Sequence, residues 1–393
     1  MKFDFYMPAR IKFGEGALEA LGEIALPGKK ALVVVSAGSS MKTLGYLARV
    51  VELLHRNGVD SVVFDKVRPN PASSEVMEAA RLARAEGCDF VVGLGGGSSI
   101  DSAKSIAVMA KNPGDYWDYI HGGSGAGKPA ADGALPIVAI STTSGTGTEA
   151  DPWTVVTKDG AGEKIGLGND HTFPTLSIVD PELTTSVPPA LTAYQGLDAL
   201  FHATEGFIAS CATPMSDLFA LKSMALVARW LPLAVRDGSN IEARSNLAFA
   251  NILSGLVEST SSCTSEHSLE HALSAHHRGL AHGAGLVMLS VAYYEFFLTR
   301  IPAGLFEQMA AAMGADVDAC PETERAALFV TALKRLIDEC GLSELRMSDA
   351  GIERADLPGL ARTARETMGG LFKVDRYRLS FDETVEILER SYR

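Results

Sequence analysis

Residues 90–104 read FVVGLGGGSSIDSAK. The run FVVGL lacks polar alternation, which is the pattern of a strand covered on both faces. Gly95, Gly96 and Gly97 with two serines end it, and Ile100, Ala103 and Ala107 then fall at helical spacing. A strand that passes through glycines into a helix lets the backbone approach a ligand closely, while the unbonded N–H groups and the positive end of the new helix favour an anion. The stretch therefore predicts a pyrophosphate cradle. It departs from the G-x-G-x-x-G fingerprint, and a glycine-rich turn that binds nothing is the plain alternative.

Working outward, ALVVV at 31–35, SVVF at 61–64 and PIVAI at 136–140 repeat the short β-branched run, with 25–30 residues between several of them for a crossover helix. This rhythm predicts an α/β domain with a doubly wound, mostly parallel sheet. The strand at 136–140 runs into STTSGTGTE at 141–149, a second loop rich in glycine and hydroxyls. Ligands of open α/β sheets bind at the carboxyl ends of the strands, so two such loops at that edge support a nucleotide site. The first strand runs into SAGSSMK at 36–42, with no carboxylate between Glu23 and Glu52. An acidic group there would select NAD; without one, NADP is admitted as well as NAD, and Lys42 favours it.

After Asp180-Pro181 the rhythm stops. Apolar residues recur every three or four positions in 190–210, 214–231, 240–262, 282–299, 321–341 and 352–369, which predicts helices alone. Pro174, Pro181, Pro188 and Pro189 cluster at the change. The expected division is an α/β dinucleotide-binding domain over 1–185 and an all-helical metal-binding domain over 186–393.

The helical half carries five of the chain's nine histidines within 16 residues: His267, His271, His276, His277 and His282. Upstream, GLDALFHATEG at 196–206 places Asp198 and His202 four apart, on one face of a helix. His267 and His271 repeat that spacing, and Gly279 lets His282 return at another angle. One carboxylate with two or three imidazoles suits a divalent transition metal such as Fe²⁺ or Zn²⁺. His276 and His277, beside Arg278, read as loop residues. A competing motif lies in HSLEH at 267–271, which fits the H-x-x-E-H pattern of a zinc metallopeptidase with Glu270 as general base; that reading leaves Asp198, His202 and both glycine-rich loops unused.

Composition narrows the field. The 393 residues hold 35 Lys and Arg against 48 Asp and Glu, a net charge of −13, which disfavours a nucleic-acid partner. Five scattered cysteines without a CxxC pair point to neither a disulfide framework nor a thiolate zinc site. The N-terminal segment, interrupted by Asp4, Pro8, Arg10 and Lys12, lacks a signal-peptide core, and Gly279–Tyr294 is short for a membrane span, so a cytoplasmic protein without a membrane partner is expected.

Taken together, GGGSSID at 95–101, TTSGTGTE at 142–149, GLDALFHATEG at 196–206, HSLEH and the following HG at 282–283, with RPNP at 68–71 and DPEL at 180–183, resemble the iron-containing (group III) alcohol dehydrogenase family over nearly the whole chain. The resemblance implies reversible hydride transfer between a small alcohol or aldehyde and NAD or NADP, with the active site in a cleft between the two domains. It makes Asp198, His202, His267 and His282 the ligands of Fe²⁺, with Zn²⁺ the other option, and places His271 close by but not ligating; an imidazole there suits passing the released proton to solvent, with an orienting role outside the ligand set as the alternative. Ten residues separate His271 from His282 where the common family pattern has nine, which leaves His277 as the alternative ligand. For the cofactor it assigns Gly95, Gly96, Gly97, Ser98 and Asp101 to the pyrophosphate side, and Thr142, Thr143, Thr146 and Lys164 to the nicotinamide side. A homo-oligomer, taken as a dimer, is expected.

Overall fold

The computed structural model describes residues 2–393. The β-branched runs form β2 (Lys30–Ser36), β3 (Asp60–Val67), β4 (Phe90–Gly95) and β5 (Ile137–Ser141), and two further strands, β1 (Arg10–Phe13) and β8 (Leu176–Val179), complete a six-stranded sheet. Its order is β1-β8-β5-β4-β2-β3 and every neighbouring pair is parallel. The central strands are buried along their length, as their unbroken apolar runs require. Helix Tyr46–Arg56 crosses from β2 to β3, laying Val50, Leu53 and Leu54 into a core shared with Val33, Phe90 and Ile140. Helix Ser73–Ala85 leads to β4 and helix Gly97–Lys111 to β5.

This order fixes where a ligand can sit. From β2 the chain moves outward to β3, and from β4 it moves the opposite way to β5, while β2 and β4 are neighbours. Loops leaving in opposite directions open a crevice at the carboxyl ends of those two strands. The register pairs Leu94 with Ile140 and Gly95 with Ser141, so both glycine-rich loops start side by side.

The sequence rhythm does not reveal β1 and β8, each only four residues long, nor a two-stranded antiparallel hairpin of β6 (Thr154–Thr157) and β7 (Lys164–Leu167). Asp180 of the DPEL motif ties the sheet together: fully buried, it accepts from the Leu18 N–H at 3.1 Å and the Gly16 N–H at 3.2 Å.

The chain divides into two compact units, one of Met7–Thr185 and one of Ser186–Arg393 joined by the N-terminal residues up to Tyr6. The sequence division places those first residues with the sheet; in the structure Phe5 instead packs on Phe219 of the helical unit, with ring centroids 6.2 Å apart. No strand is found after β8 among the described residues. The helical core gathers Leu197, Phe201, Val227, Val257, Leu289 and Tyr293 among many others. Helix Pro214–Arg236 is long and apolar enough to cross a membrane by length and composition, but its Met224, Val227 and Leu231 face belongs to this core.

Candidate active site

In the helical unit, Pro189 opens a 20-residue helix to Ile208, a position where proline costs nothing because the first-turn N–H groups have no intrahelical partner. Asp198 and His202 lie one turn apart on its buried face. His267 comes from helix Ser265–His276, and His282 is the first residue of helix His282–Phe297. Gly283 permits that last helix to close in: a Cβ there would stand 2.2 Å from the Tyr194 carbonyl oxygen.

The side chains converge on one atom. The Nε2 atoms of His282, His267 and His202 lie 3.4, 3.6 and 3.8 Å from Asp198 Oδ1. Those separations are long for hydrogen bonds, yet two ligands held about 2.1 Å from a tetrahedral cation stand roughly 3.4 Å apart. Asp198 and His267 are only 3 % exposed, and Asp198 Oδ1 and His267 Nε2 have no hydrogen-bond partner among the described residues. Leaving such groups buried and unpaired costs about 1–3 kcal/mol each, so this donor set fits a divalent cation that would satisfy both. Burial opposes the charged form of Asp198, but the imidazoles of His202, His282 and His267 outweigh it and hold the carboxyl below its ordinary range.

His271 stands beside this group, its ring 5.3 Å from that of His282 and 6.3 Å from that of His267, with Nδ1 2.7 Å from Met368 Sδ. His282, rather than His277, reaches Asp198; His277 follows the end of its helix and lines a surface pocket with Tyr194 and Arg346.

Three buried glutamates escape a reading based on ligand spacing. Glu205 Oε1 meets His267 Nδ1, Glu270 Oε2 meets His282 Nδ1, and Glu258 Oε1 lies 3.6 Å from His202 Nδ1. Glu205 and Glu270 share helices with ligand-type residues, three positions after His202 and His267, and were legible as charges in apolar helices; nothing around Glu258 marks it.

In the sheet unit the Thr142 N–H donates to the Gly95 carbonyl at 3.0 Å. A Cβ on Gly96 would come 2.9 Å from Thr143 Oγ1, and one on Gly97 would come 2.6 Å from Thr146 Cγ2. The two loops therefore press together so tightly that only glycine fits, which leaves the first-turn amides of helix Gly97–Lys111 unobstructed by side chains. Gly95 itself has φ +145°, where a Cβ is strained.

Asp101 points elsewhere: its carboxylate accepts from Thr148 Oγ1 at 2.8 Å and the Val155 N–H at 2.9 Å, securing the helix to the segment that enters β6. Burial pushes its pKa up to about 6 against the pull of Lys104. Lys104, wholly buried, donates to Asp151 Oδ1 at 3.0 Å and to the carbonyls of Asp151 and Trp153 at 2.9 and 2.7 Å, an ion pair the motif reading missed. Lys164 sits in β7 opposite Thr157, outside both loops. Lys42 is ion-paired with Asp65 of β3.

The sequence profile described as iron-containing alcohol dehydrogenase matches residues 8–181, and that of the C-terminal part of the same family matches 192–392. The chain belongs to the iron-containing alcohol dehydrogenase family. A 1,3-propanediol dehydrogenase of Citrobacter freundii is 34 % identical over 92 % of each chain, and an NAD-dependent methanol dehydrogenase of Bacillus methanolicus is 32 % identical over 92 % of this chain and 93 % of the relative. The crystal structure of an archaeal halo-thermophilic alcohol dehydrogenase from a Red Sea brine pool superposes with a TM-score of 0.94 at 34 % identity, covering 100 % of this chain and 99 % of its own. This member is accordingly a metal-dependent alcohol dehydrogenase, an oxidoreductase that exchanges hydride between an alcohol or aldehyde and a nicotinamide dinucleotide. The metallopeptidase alternative gains no support from these relatives, and the Glu270 carboxylate, which that mechanism needs as a base, is fully buried against His282.

Proposed function

We propose that the enzyme uses Fe²⁺, held by Asp198, His202, His267 and His282, and NAD to interconvert a short primary alcohol and its aldehyde in the cytoplasm. The observation that carries the metal assignment is the ring of three Nε2 atoms within 3.8 Å of a buried, unpartnered Asp198 oxygen. When bound, the metal supplies Lewis acidity to the substrate hydroxyl and stabilises its alkoxide character. Zn²⁺ satisfies the same donor set and is the competing occupant.

The chain does the rest with its own groups. First-turn amides at Gly97 and Ser98, with Gly95 and Gly96 keeping the approach clear, bind the pyrophosphate, and Thr142, Thr143 and Thr146 line the nicotinamide side. Asp101 serves this cradle by anchoring its helix, and Lys164 contributes through the hairpin. His271 passes the released proton to solvent. NAD is favoured over NADP because Lys42, the one cation at the end of β2, is already neutralised by Asp65; an NAD-dependent methanol dehydrogenase and an NADH-dependent butanol dehydrogenase are among the relatives. Unpaired cysteines agree with a reducing compartment. Light scattering reads the expected homodimer.

The test is an anaerobic screen of short alcohols and aldehydes with NAD and NADP in parallel, on enzyme reconstituted with Fe²⁺ or Zn²⁺ and on enzyme treated with chelator. Turnover with NAD that vanishes with the metal and returns on adding Fe²⁺ is expected. Undiminished turnover in metal-free enzyme would sink the assignment.

A further inference from the structure

We propose that Glu205, Glu258 and Glu270 are positioning residues of the metal centre, each fixing one histidine so that its Nε2 faces the cation; the proposal rests on the metal reading above. A neutral imidazole has one N–H and one lone pair, and only a ring whose Nδ1 carries the hydrogen offers its Nε2 lone pair to a metal. A carboxylate at Nδ1 enforces that tautomer by accepting the Nδ1–H, and also sets the ring plane.

Each of the three rings has a carboxylate facing its Nδ1, in hydrogen-bond contact at His267 and His282, and in each case it comes from a different helix. Glu258 of helix Ile241–Thr260 faces His202 of Pro189–Ile208; Glu205 of Pro189–Ile208 faces His267 of Ser265–His276; Glu270 of Ser265–His276 faces His282 of His282–Phe297. The orientation of every ring is thus keyed to the neighbouring helix rather than to its own.

The contacts are built for this purpose. Glu205 and Glu270 are 0 % exposed, where a carboxylate is costly unless it accepts hydrogen bonds. The second oxygen of Glu205, Oε2, accepts from the Thr264 N–H at 2.7 Å and from Thr264 Oγ1 at 2.8 Å, which leaves Oε1 aimed at His267. Glu270 has room only because position 285 is glycine: a Cβ there would lie 2.9 Å from Glu270 Cγ and 3.0 Å from its Oε1. Glu258 Oε1, 3.6 Å from His202 Nδ1, makes the longest of the three approaches.

The test titrates metal-free full-length enzyme with Co²⁺ against a chelating indicator and records the cobalt d–d absorption, a signature of ligand geometry. The parent protein should bind Co²⁺. Glu205→Gln and Glu270→Gln should weaken that binding about tenfold to a hundredfold and shift the band, and Glu258→Gln should do so less. Gly285→Ala displaces the Glu270 carboxylate without removing its charge and should reproduce the Glu270→Gln direction, so the idea stays testable if a Glu205 variant does not fold. Folded variants that bind Co²⁺ within about twofold of the parent with an unchanged spectrum overturn the positioning role and leave the metal site standing. A parent that takes up no Co²⁺ overturns both.

Discussion

In the sheet unit the proposed ligand surface is main chain: Gly95, Gly96 and Gly97 at a helix start, pressed against threonines so closely that no Cβ fits. In the helical unit it is side chain: one carboxylate and three imidazoles, with three buried glutamates behind them. The backbone offers many donors of partial charge, so an anion is met by clearing space. A cation needs full negative charge and aimed lone pairs, which must be carried into the core on side chains and braced there. Substitutions should therefore fail differently in the two units: by added bulk in one, by lost partners in the other.

The largest effect is expected at Asp198. Asp198→Ala should remove bound metal and lower kcat on the order of a thousandfold or more, read by elemental analysis beside NADH formation; a variant that keeps its metal would show the three imidazoles to suffice. Next comes an exception to the contrast, a charged pair buried in the sheet unit. Lys104→Met leaves Asp151 unpaired and should cost about 3–5 kcal/mol in a denaturation experiment. Retained stability would mean that the Trp153 N–H, 2.6 Å from Asp151 Oδ1, suffices for the carboxylate without its counter-charge.

A pH effect of intermediate size belongs to Asp101. Its folded pKa of about 6 lies above the ordinary 3.8, so the folded protein keeps a proton that the unfolded chain has released. Stability should therefore fall as pH rises from about 4 to 6 and level off above, by on the order of 3 kcal/mol at most from this group. Thermal melts across that window should show a shallower decline in Asp101→Asn than in the parent. The smallest effect is expected at Gly97→Ala, whose new methyl meets Thr146 Cγ2 and should raise KM for the dinucleotide roughly tenfold with little change in kcat. Adding Thr146→Ser, which removes that carbon, should recover most of the loss; no recovery would place the clash elsewhere.

How legible each region was follows the same contrast. Glycines and β-branched runs are local signals, so β2 to β5 and both loops could be read from short windows of sequence. Strands β1 and β8 could not, because four residues such as RIKF carry no period and are strands only through their parallel partners. The four residues proposed as ligands were legible from spacing and family resemblance, since i, i+4 geometry is a property of one helix. Of their supports, Glu205 and Glu270 stood out as charges in apolar helices, but Glu258 did not. Glu258 meets His202 across a helix–helix contact with 55 residues between them, a separation no local pattern encodes. Asp101, in a motif associated with the cofactor, has its carboxylate turned toward Thr148 and Val155.

Glu205 carries a consequence for how such a protein can change. One of its oxygens seats the start of a helix at Thr264, and the other aims the ring of His267. Drift at this position is penalised twice, once when the chain assembles and again when it turns over substrate. Selection for a sturdier scaffold and selection for a faster catalyst thus pull on the same atom pair, and neither can be relaxed alone.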